Sequence, residues 1–172
     1  HTEEKGDLIV YHGDLRIADN VRAALFLIDV YKNTSFQFVV ASSCKNKTVL
    51  KQIKKYHNLN FKDIPTQESL EQLFKKAQIN TLFTFQKTGI KLKLLNTLHQ
   101  GKHIISNTQM IEDTGLESLC ELANTKKDIL EKTSKLLEQK FSKTHVIARK
   151  EKLLDFNTIE NAKKIVAIIF KQ

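Results

Sequence analysis

The stretch from Thr84 to Ser106 has the pattern best suited to chemistry, because it predicts a strand, a glycine turn, a helix and a second strand in succession. Lys91 and Lys93 stand at the start of that helix, where the positive end of the helix dipole disfavours a cation by roughly 0.3–1 kcal/mol. Two lysines here are therefore typical of an anion site, with a solvated lysine as the simpler alternative. Asn96, three residues after Lys93, shares its edge of the helix.

Two glycines mark further turns of interest. Gly13 and Gly89 each follow a predicted strand and precede a predicted helix, where the lack of a side chain lets backbone amides approach a phosphate group. A tight turn requires the same glycine without a ligand, so both interpretations stay open. Gly101, at the end of a predicted helix, is expected to be a left-handed C-cap residue. The G-x-G-x-x-G and G-x-x-x-x-G-K-[ST] fingerprints are missing, which disfavours dinucleotide dehydrogenases and P-loop NTPases.

The cysteines and histidines show no spacing that predicts a metal site. Cys44 and Cys120 stand far apart, and two isolated cysteines favour a reducing cytoplasm over a disulfide framework. His12, in the loop predicted after the first strand, is either a ligand or catalyst or, more simply, a solvated side chain. We therefore predict no metal in this chain.

The charge of the chain bears on nucleic acids and membranes. Lys and Arg number 28 against 19 Asp and Glu, a net charge of +9, and basic surfaces bind nucleic acid by neutralising phosphates. Only three of the 28 are arginine, the residue suited to bidentate recognition of bases and phosphates. We therefore attribute the lysines to a diffuse, soluble surface and expect no nucleic acid partner. The longest apolar runs are far shorter than the ~20 residues of a membrane helix.

The elements that must position these residues alternate along the chain. Short apolar runs predict strands at 8–11, 36–41, 59–61, 79–85 and 103–106, with a weaker candidate at 119–123. Helical patterns separate them, and continuous apolar strands suit a sheet covered on both faces. The sequence thus predicts an α/β fold, a doubly wound, Rossmann-like parallel sheet of about six strands with extra C-terminal helices. Residues 1–172 are expected to form a single domain of this kind.

Helix starts are predicted where polar side chains can accept a backbone hydrogen bond. The predicted N-caps are Asp19 or Asn20, Thr66, Thr125 and Asn157. The first helix is expected to bury a stripe at Val21, Ala24, Leu25 and Ile28. The helix after Gly89 is expected to bury Leu92, Leu95 and either Leu98 or His99, and residues 144–154 are also predicted to be helical.

Several of these motifs, in order and at this spacing, resemble one family. Residues 88–106 are similar to the nucleotide-sugar signature in the C-terminal domain of GT-B glycosyltransferases of family 4 (glycosyl transferases group 1). There a Glu-Gly turn opens a helix with Lys-Leu-x-Glu, followed by Gly-x-Pro-Val-Ile. Lys93-Leu94-Leu95-Asn96 falls on the first motif and Gly101-Lys102-His103-Ile104-Ile105 on the second. Tyr11-His12-Gly13-Asp14-Leu15 looks like the family's strand followed by Gly-x-Leu.

The resemblance implies retaining transfer of a sugar from a nucleotide-diphosphate donor. Lys93 is then expected to contact the diphosphate and Asn96 the ribose, with Arg16 as a second cation. Thr88 and Asn96 stand where the family has glutamates, and Asp14 where it often has arginine. The residues expected to bind the nucleotide sugar are Gly13, Asp14, Arg16, Phe61, Gln86, Thr88, Gly89, Lys91, Lys93, Leu94 and Asn96.

The resemblance also carries expectations for the rest of the protein. The donor is expected to be UDP- or GDP-linked, with no further cofactor, and the acceptor is a glycan or a lipid-linked sugar in polysaccharide biosynthesis. The acceptor domain, with its catalytic histidine, is expected to precede His1, so this chain holds no catalytic residue. A cytoplasmic setting with peripheral association at the inner membrane face is expected. The alternatives are a non-catalytic Rossmann-like nucleotide-binding or assembly module and a polyanion-binding protein.

Overall fold

The computed structural model describes residues 6–86 and 91–156. Within these ranges six strands form: β1 (Leu8–His12), β2 (Gln37–Ser42), β3 (Leu59–Asp63), β4 (Ile79–Leu82), β5 (His103–Ser106) and β6 (Glu121–Leu122). The helices in the same ranges are α1 (Ala18–Tyr31), α2 (Lys47–Ile53), α3 (Gln67–Lys76), α4 (Leu92–Gln100), α5 (Thr108–Ile111), α6 (Lys126–Glu138) and α7 (Lys143–Leu153).

The strands form one parallel sheet in the order β3-β2-β1-β4-β5-β6. Val10 of β1 lies opposite Val39 of β2 on one side and Asn80 of β4 on the other. The chain first builds outward from β1 to β3 and then restarts at β4 on the opposite side of β1. This confirms the doubly wound, Rossmann-like fold and places its topological switch point between β1 and β4.

Both faces of the sheet are buried, as continuous apolar strands require. On one face Ile9 and Tyr11 of β1 belong to a cluster with residues of α1 and α6. On the other face Val10 packs with Leu73 of α3 and with Ala77, the residue that follows this helix. The central strand β1 is thus covered on both faces, and its carboxyl end leads into the loop before α1.

Two of the predicted caps are confirmed and one is wrong. Thr66 and Thr125 each accept a hydrogen bond from the backbone three residues later and form a capping box. Helix α1 instead begins after Ile17, whose side chain makes no capping hydrogen bond. The side-chain amide of Asn20 lies within the helix and donates to the carbonyl of Asp14 in the preceding loop. The predicted cap at Asn157 lies outside the described residues.

The two predicted stripes are only partly correct. In α1 the buried residues are Ala23, Ala24, Leu27, Ile28, Val30 and Tyr31, so Val21 and Leu25 lie at the margin. In α4 the buried residues are Leu94, Thr97 and Leu98, whereas Leu92 is 75% exposed. The buried face of α4 is therefore rotated away from the predicted one.

Gly101 does not have the left-handed conformation predicted for it. Its φ is −87° and its ψ 171°, which is extended backbone. A Cβ at this position would lie 2.7 Å from Asn80 Nδ2 and 2.9 Å from the carbonyl oxygen of Thr97. Close packing of α4 on β4, and not a helix-ending turn, is what requires glycine here.

The chain divides into two compact units, His1–Phe141 and Ser142–Gln172. The first contains the sheet and α1 to α6. In the second, α7 is capped by Ser142, whose backbone N–H donates to His145 Nδ1 at 3.1 Å. Its range, Lys143–Leu153, matches the helix predicted at 144–154 to within one residue. None of the helices in the described residues is long and apolar enough to cross a membrane.

Candidate functional site

The carboxyl ends of β1 and β4 lie side by side at the switch point, where open parallel sheets bind their ligands. The loop after β1 leads into α1, and the segment after β4 leads to α4. Both helices begin at this edge, so the positive ends of their dipoles lie near it. Several residues expected to bind a donor fall on these two connections.

The turn after β1 is held by packing around Gly13. Its backbone N–H donates to the carbonyl of Ala41 at 3.1 Å. A Cβ on Gly13 would lie 3.0 Å from Tyr11 Oη and 3.1 Å from Asn20 Cγ. These neighbours account for glycine at this position by themselves, whether or not a phosphate approaches it.

Asn20, in the first turn of α1, joins the two connections. Its Nδ2 donates to the carbonyl of Asp14 at 3.0 Å, and its Oδ1 accepts from Lys93 Nζ at 3.2 Å. The hydroxyl of Tyr11 donates to the backbone carbonyl of Asn20 at 3.1 Å. One side chain thus fixes the loop after β1 and a lysine of α4 to each other.

Lys93 is the central cation of this network. Its Nζ donates to Asn20 Oδ1 and, at 3.3 Å, to the carbonyl of Phe83, and it lies 5.5 Å from the centroid of the Tyr11 ring. Burial and, to a smaller extent, the charge of Lys91 lower the pKa of Lys93 to about 8, although the charge of Asp19 opposes them. Among the described residues these two acceptors use two of the three ammonium hydrogens. One hydrogen is left for a ligand.

Arg16 and Asp14 form an ion pair with each other. Arg16 Nη2 lies 2.7 Å from Asp14 Oδ2, and the Arg16 side chain is 73% exposed. The hydrogen bonds from Arg16 lower the pKa of Asp14, and those from Asp14 raise the pKa of Arg16. The guanidinium expected to serve as a second cation is therefore already paired with a carboxylate.

The remaining predicted residues are more dispersed. Lys91 is the half-buried N-cap residue of α4, and Leu94 is buried in that helix. Asn96 and Gln86 are exposed, while Phe61 is half-buried in β3, two strands away from β1. Thr88 and Gly89 lie outside the described residues. Asp14 and Lys93 are thus the predicted residues that Asn20 joins directly by hydrogen bonds, and Gly13 lies close to it.

His12 is neither a solvated side chain nor a loop residue, which corrects the expectation for it. It is the last residue of β1, is 6% exposed, and packs edge-on against Phe74 with ring centroids 4.9 Å apart. Burial lowers its pKa to about 3, and the nearby charge of Lys93 acts in the same direction. His12 is therefore a neutral core residue at physiological pH.

Sequence reasoning missed three parts of the site: Tyr11, Asn20 and the hydrogen bonds that hold the backbone of Thr84. Asn107, which follows β5, donates to the carbonyl of Thr84 at 2.7 Å and accepts from its N–H at 3.3 Å. It thus holds the backbone just before the segment that leads to α4. The sequence pattern predicts a helix cap at Asn20 and carries no signal of a partner 73 residues away.

Metal ligation has no support among the described residues. They contain no group of three or more His, Cys, Asp and Glu side chains that could hold a metal ion. Cys44 and Cys120 form no disulfide with each other. The cationic and amide groups at the switch point are therefore the chemistry that the described residues offer there.

The chain matches no protein-family model and no curated protein sequence. Solved structures do match its fold. TarM superposes with a TM-score of 0.68 at 13% identity, over 98% of this chain and 36% of that one. OtsA in its apo form gives 0.66 at 12% identity, over 98% and 44%. A trehalose-6-phosphate synthase, described in connection with enzymatic glycosyltransfer with retention, gives 0.62 at 10% identity, over 88% and 41%.

These similarities establish the architecture of the chain. At such low identity they show the fold alone, which is that of a Rossmann-like domain of GT-B glycosyltransferases. The chain spans less than half the length of each of these three proteins.

Proposed function

We propose that this chain is the donor-binding domain of a retaining glycosyltransferase and that it binds a nucleotide-diphosphate sugar at the switch point between β1 and β4. The observation that carries the proposal is Lys93, whose ammonium group donates to Asn20 and to the carbonyl of Phe83 and has no third acceptor among the described residues. The glycosyltransferase fold of the similar structures supports it, and one of these is described in terms of transfer with retention. The donor class, UDP- or GDP-linked, and a glycan or lipid-linked acceptor belong to the same proposal.

The chemistry follows from the charge that develops on the leaving group. When the bond between the anomeric carbon and the diphosphate breaks, the diphosphate gains negative charge that the protein must stabilise. Lys93 supplies a cation at a fixed position, and the first turns of α1 and α4 supply the positive ends of two helix dipoles. Asn96, exposed on α4, would contact the ribose hydroxyls. The acceptor and the catalytic groups would come from the rest of a longer protein.

The lowered pKa of Lys93 has a direct consequence for this site. With a pKa of about 8, a fraction of the lysine is neutral at the upper end of the physiological range. A bound diphosphate favours the charged form, so binding takes up a proton and weakens as the pH rises through 8.

Membrane-side polysaccharide synthesis in a cytoplasmic setting is the cellular role that we propose for the full-length protein.

The experiment is a titration of the chain with UDP, GDP and their glucose conjugates, followed by NMR and by calorimetry. Lys93→Met should weaken binding at least about tenfold, because it removes a hydrogen bond to a charged group worth about 1.5–3 kcal/mol. Lys75→Met, on an exposed lysine of α3, is the matched control and should bind like the native chain. Equal affinity of the Lys93 variant, or no response to any of these nucleotides, contradicts the proposal.

A non-catalytic nucleotide-binding or assembly module is the second candidate. It is favoured by the Arg16–Asp14 ion pair and by Asn96, which stands in place of an acidic residue of the resembled family. The full-length protein distinguishes the two. A module binds nucleotide without releasing it from a sugar, whereas a transferase releases UDP or GDP when an acceptor is supplied.

A further inference from the structure

The positive charge of the chain is concentrated in one short stretch. Residues 45–62 contain six lysines and no Asp or Glu, so 18 residues hold +6 of the net charge of +9. All six lysines are exposed. In the described residues none of them forms an ion pair. We call this set the lysine face: Lys45, Lys47, Lys51, Lys54, Lys55 and Lys62.

The fold arranges most of these lysines on one side of α2 and at the adjacent edge of the sheet. Helix α2 buries Val49 and Ile53. Lys47, Lys51 and Lys54, spaced i, i+4 and i+7, share the outer side of the helix and its end. Lys62 lies on β3, the edge strand of the sheet. The result is an exposed surface whose charged side chains in the stretch 45–62 are all positive.

Helix α6 shows that a lysine-rich composition does not by itself produce such a surface. It has four lysines in 13 residues, but acidic residues alternate with them. Lys126 pairs with Asp29, Lys127 lies 3.8 Å from Glu131, and two further lysines pair with Glu121. The acids that neutralise α6 have no counterpart in the stretch that contains α2.

We propose that the lysine face binds the surface of a bilayer containing anionic phospholipids. Each lysine held near such a surface strengthens binding about fivefold through its attraction to the lipid charge. A nucleic acid fits less well, because the face contains no arginine for base recognition. Tyr56 and Phe61 of the stretch are half-buried and pack against the core, which limits the area that they offer for stacking on bases.

The acidic groups nearest the face do not cancel its charge. Asp29 borders α2 across a small groove of about 320 Å³ but is already paired with Lys32 and Lys126. Asp63, next to Lys62, is the first acid after the stretch and is one charge against six. The proposal rests on these charges alone and is independent of nucleotide binding.

The test is co-sedimentation of the chain with vesicles of phosphatidylcholine alone or with 30% phosphatidylglycerol, at 50, 150 and 500 mM KCl. The native chain should bind only the anionic vesicles and should be released at 500 mM KCl, because salt screens exposed charges. Combined Lys47→Gln, Lys51→Gln and Lys54→Gln should lower partitioning about 100-fold, the product of three fivefold losses.

A matched control removes the same charge elsewhere. Lys75→Gln, Lys76→Gln and Lys140→Gln neutralise three exposed lysines outside the face and should lower partitioning less than about fivefold. Equal losses in both variants, or no binding to anionic vesicles at 50 mM KCl, overturn the proposal. Tighter binding of a DNA or RNA duplex that the α2 substitutions abolish overturns it in favour of a nucleic acid partner. The UDP titration of the α2 variant should match that of the native chain, so failure here is distinguishable from failure of the donor site.

Discussion

Lys93 and the lysine face place the same side chain in opposite environments. Lys93 is enclosed at the switch point, where Asn20 and the carbonyl of Phe83 accept from its ammonium group and burial lowers its pKa. Lys51, in the middle of the lysine face, is exposed and has no ion pair among the described residues. Both stand in a helix of a βα unit. The groups that the fold brings to each ammonium, and not the residue type, decide what each lysine does.

The largest difference should appear when each lysine is replaced by an acid. Lys93→Glu puts a carboxylate against two acceptors, Asn20 Oδ1 and the carbonyl of Phe83, in a largely buried position. We expect a loss of about 3 kcal/mol or more in the free energy of unfolding, measured by urea denaturation. Lys51→Glu should change it by less than about 0.5 kcal/mol. Similar losses in the two variants would remove the distinction between the environments.

The next effect concerns the amide that holds Lys93. Asn20→Ala removes the acceptor of the lysine and the donor to Asp14, so we expect a loss of about 2–3 kcal/mol in unfolding free energy. Asn96→Ala, on the exposed side of α4, is the control and should cost less than about 0.5 kcal/mol. An Asn20 variant as stable as its control would mean that the network contributes nothing to the fold.

The pH dependence of stability should carry the signature of Lys93. Its pKa is about 8 in the folded chain, below its ordinary value, so the unfolded chain binds more protons and stability rises as the pH increases from 8 to 10. The rise should be on the order of 2 kcal/mol, and Lys93→Met should abolish it. Above pH 10 the trend reverses, because burial raises the pKa of Tyr11 and Tyr31. A rise that persists in the Lys93→Met variant would contradict this assignment.

A smaller effect should appear in mild acid and involves His12. Its pKa of about 3 in the folded chain is below its ordinary value, so stability falls as the pH drops below 6.5. Between pH 6.5 and 5.5 the fall should be about 1 kcal/mol. His12→Phe should remove it, whereas His57→Phe, at an exposed position, should retain it. The measurement is a series of thermal melts at intervals of half a pH unit. A slope of stability against pH in the His12→Phe variant equal to that of the native chain would refute the assignment to His12.

The architecture followed from sequence because each strand is a short apolar run and each connection is long enough for a crossover helix. The predicted strands at 8–11, 36–41, 59–61 and 103–106 coincide with β1, β2, β3 and β5 to within two residues. The strand predicted at 79–85 is shorter, since β4 ends at Leu82 and the backbone beyond it is held by Asn107. The periodicity of apolar residues indicates which side chains are buried but not which distant residues they contact. It therefore located the helices and strands but not the hydrogen bonds between them.

Only part of the candidate site could be predicted from the sequence, for the same reason. Gly13 and Lys93 stand out by residue type and position; in the structure Lys93 donates to Asn20, and Gly13 lies close to the same side chain. The roles of Asn20 and Gly101 could not be derived, because each depends on a side chain or backbone brought from a distant part of the chain. A local capping rule describes neither a contact across 73 residues nor a helix packed closely on a strand.

The position of β4 beside β1 has a consequence for how the protein is made. The central strand pairs with β2 soon after it emerges from the ribosome, but its other edge waits for β4, whose Thr81 hydroxyl donates to the carbonyl of Val10 71 residues earlier. At synthesis rates of about 5–20 residues per second, that delay lasts roughly 4 to 14 seconds. During this time a short apolar strand has an open edge, so the first half of the chain is the part that most needs protection from aggregation before the sheet closes.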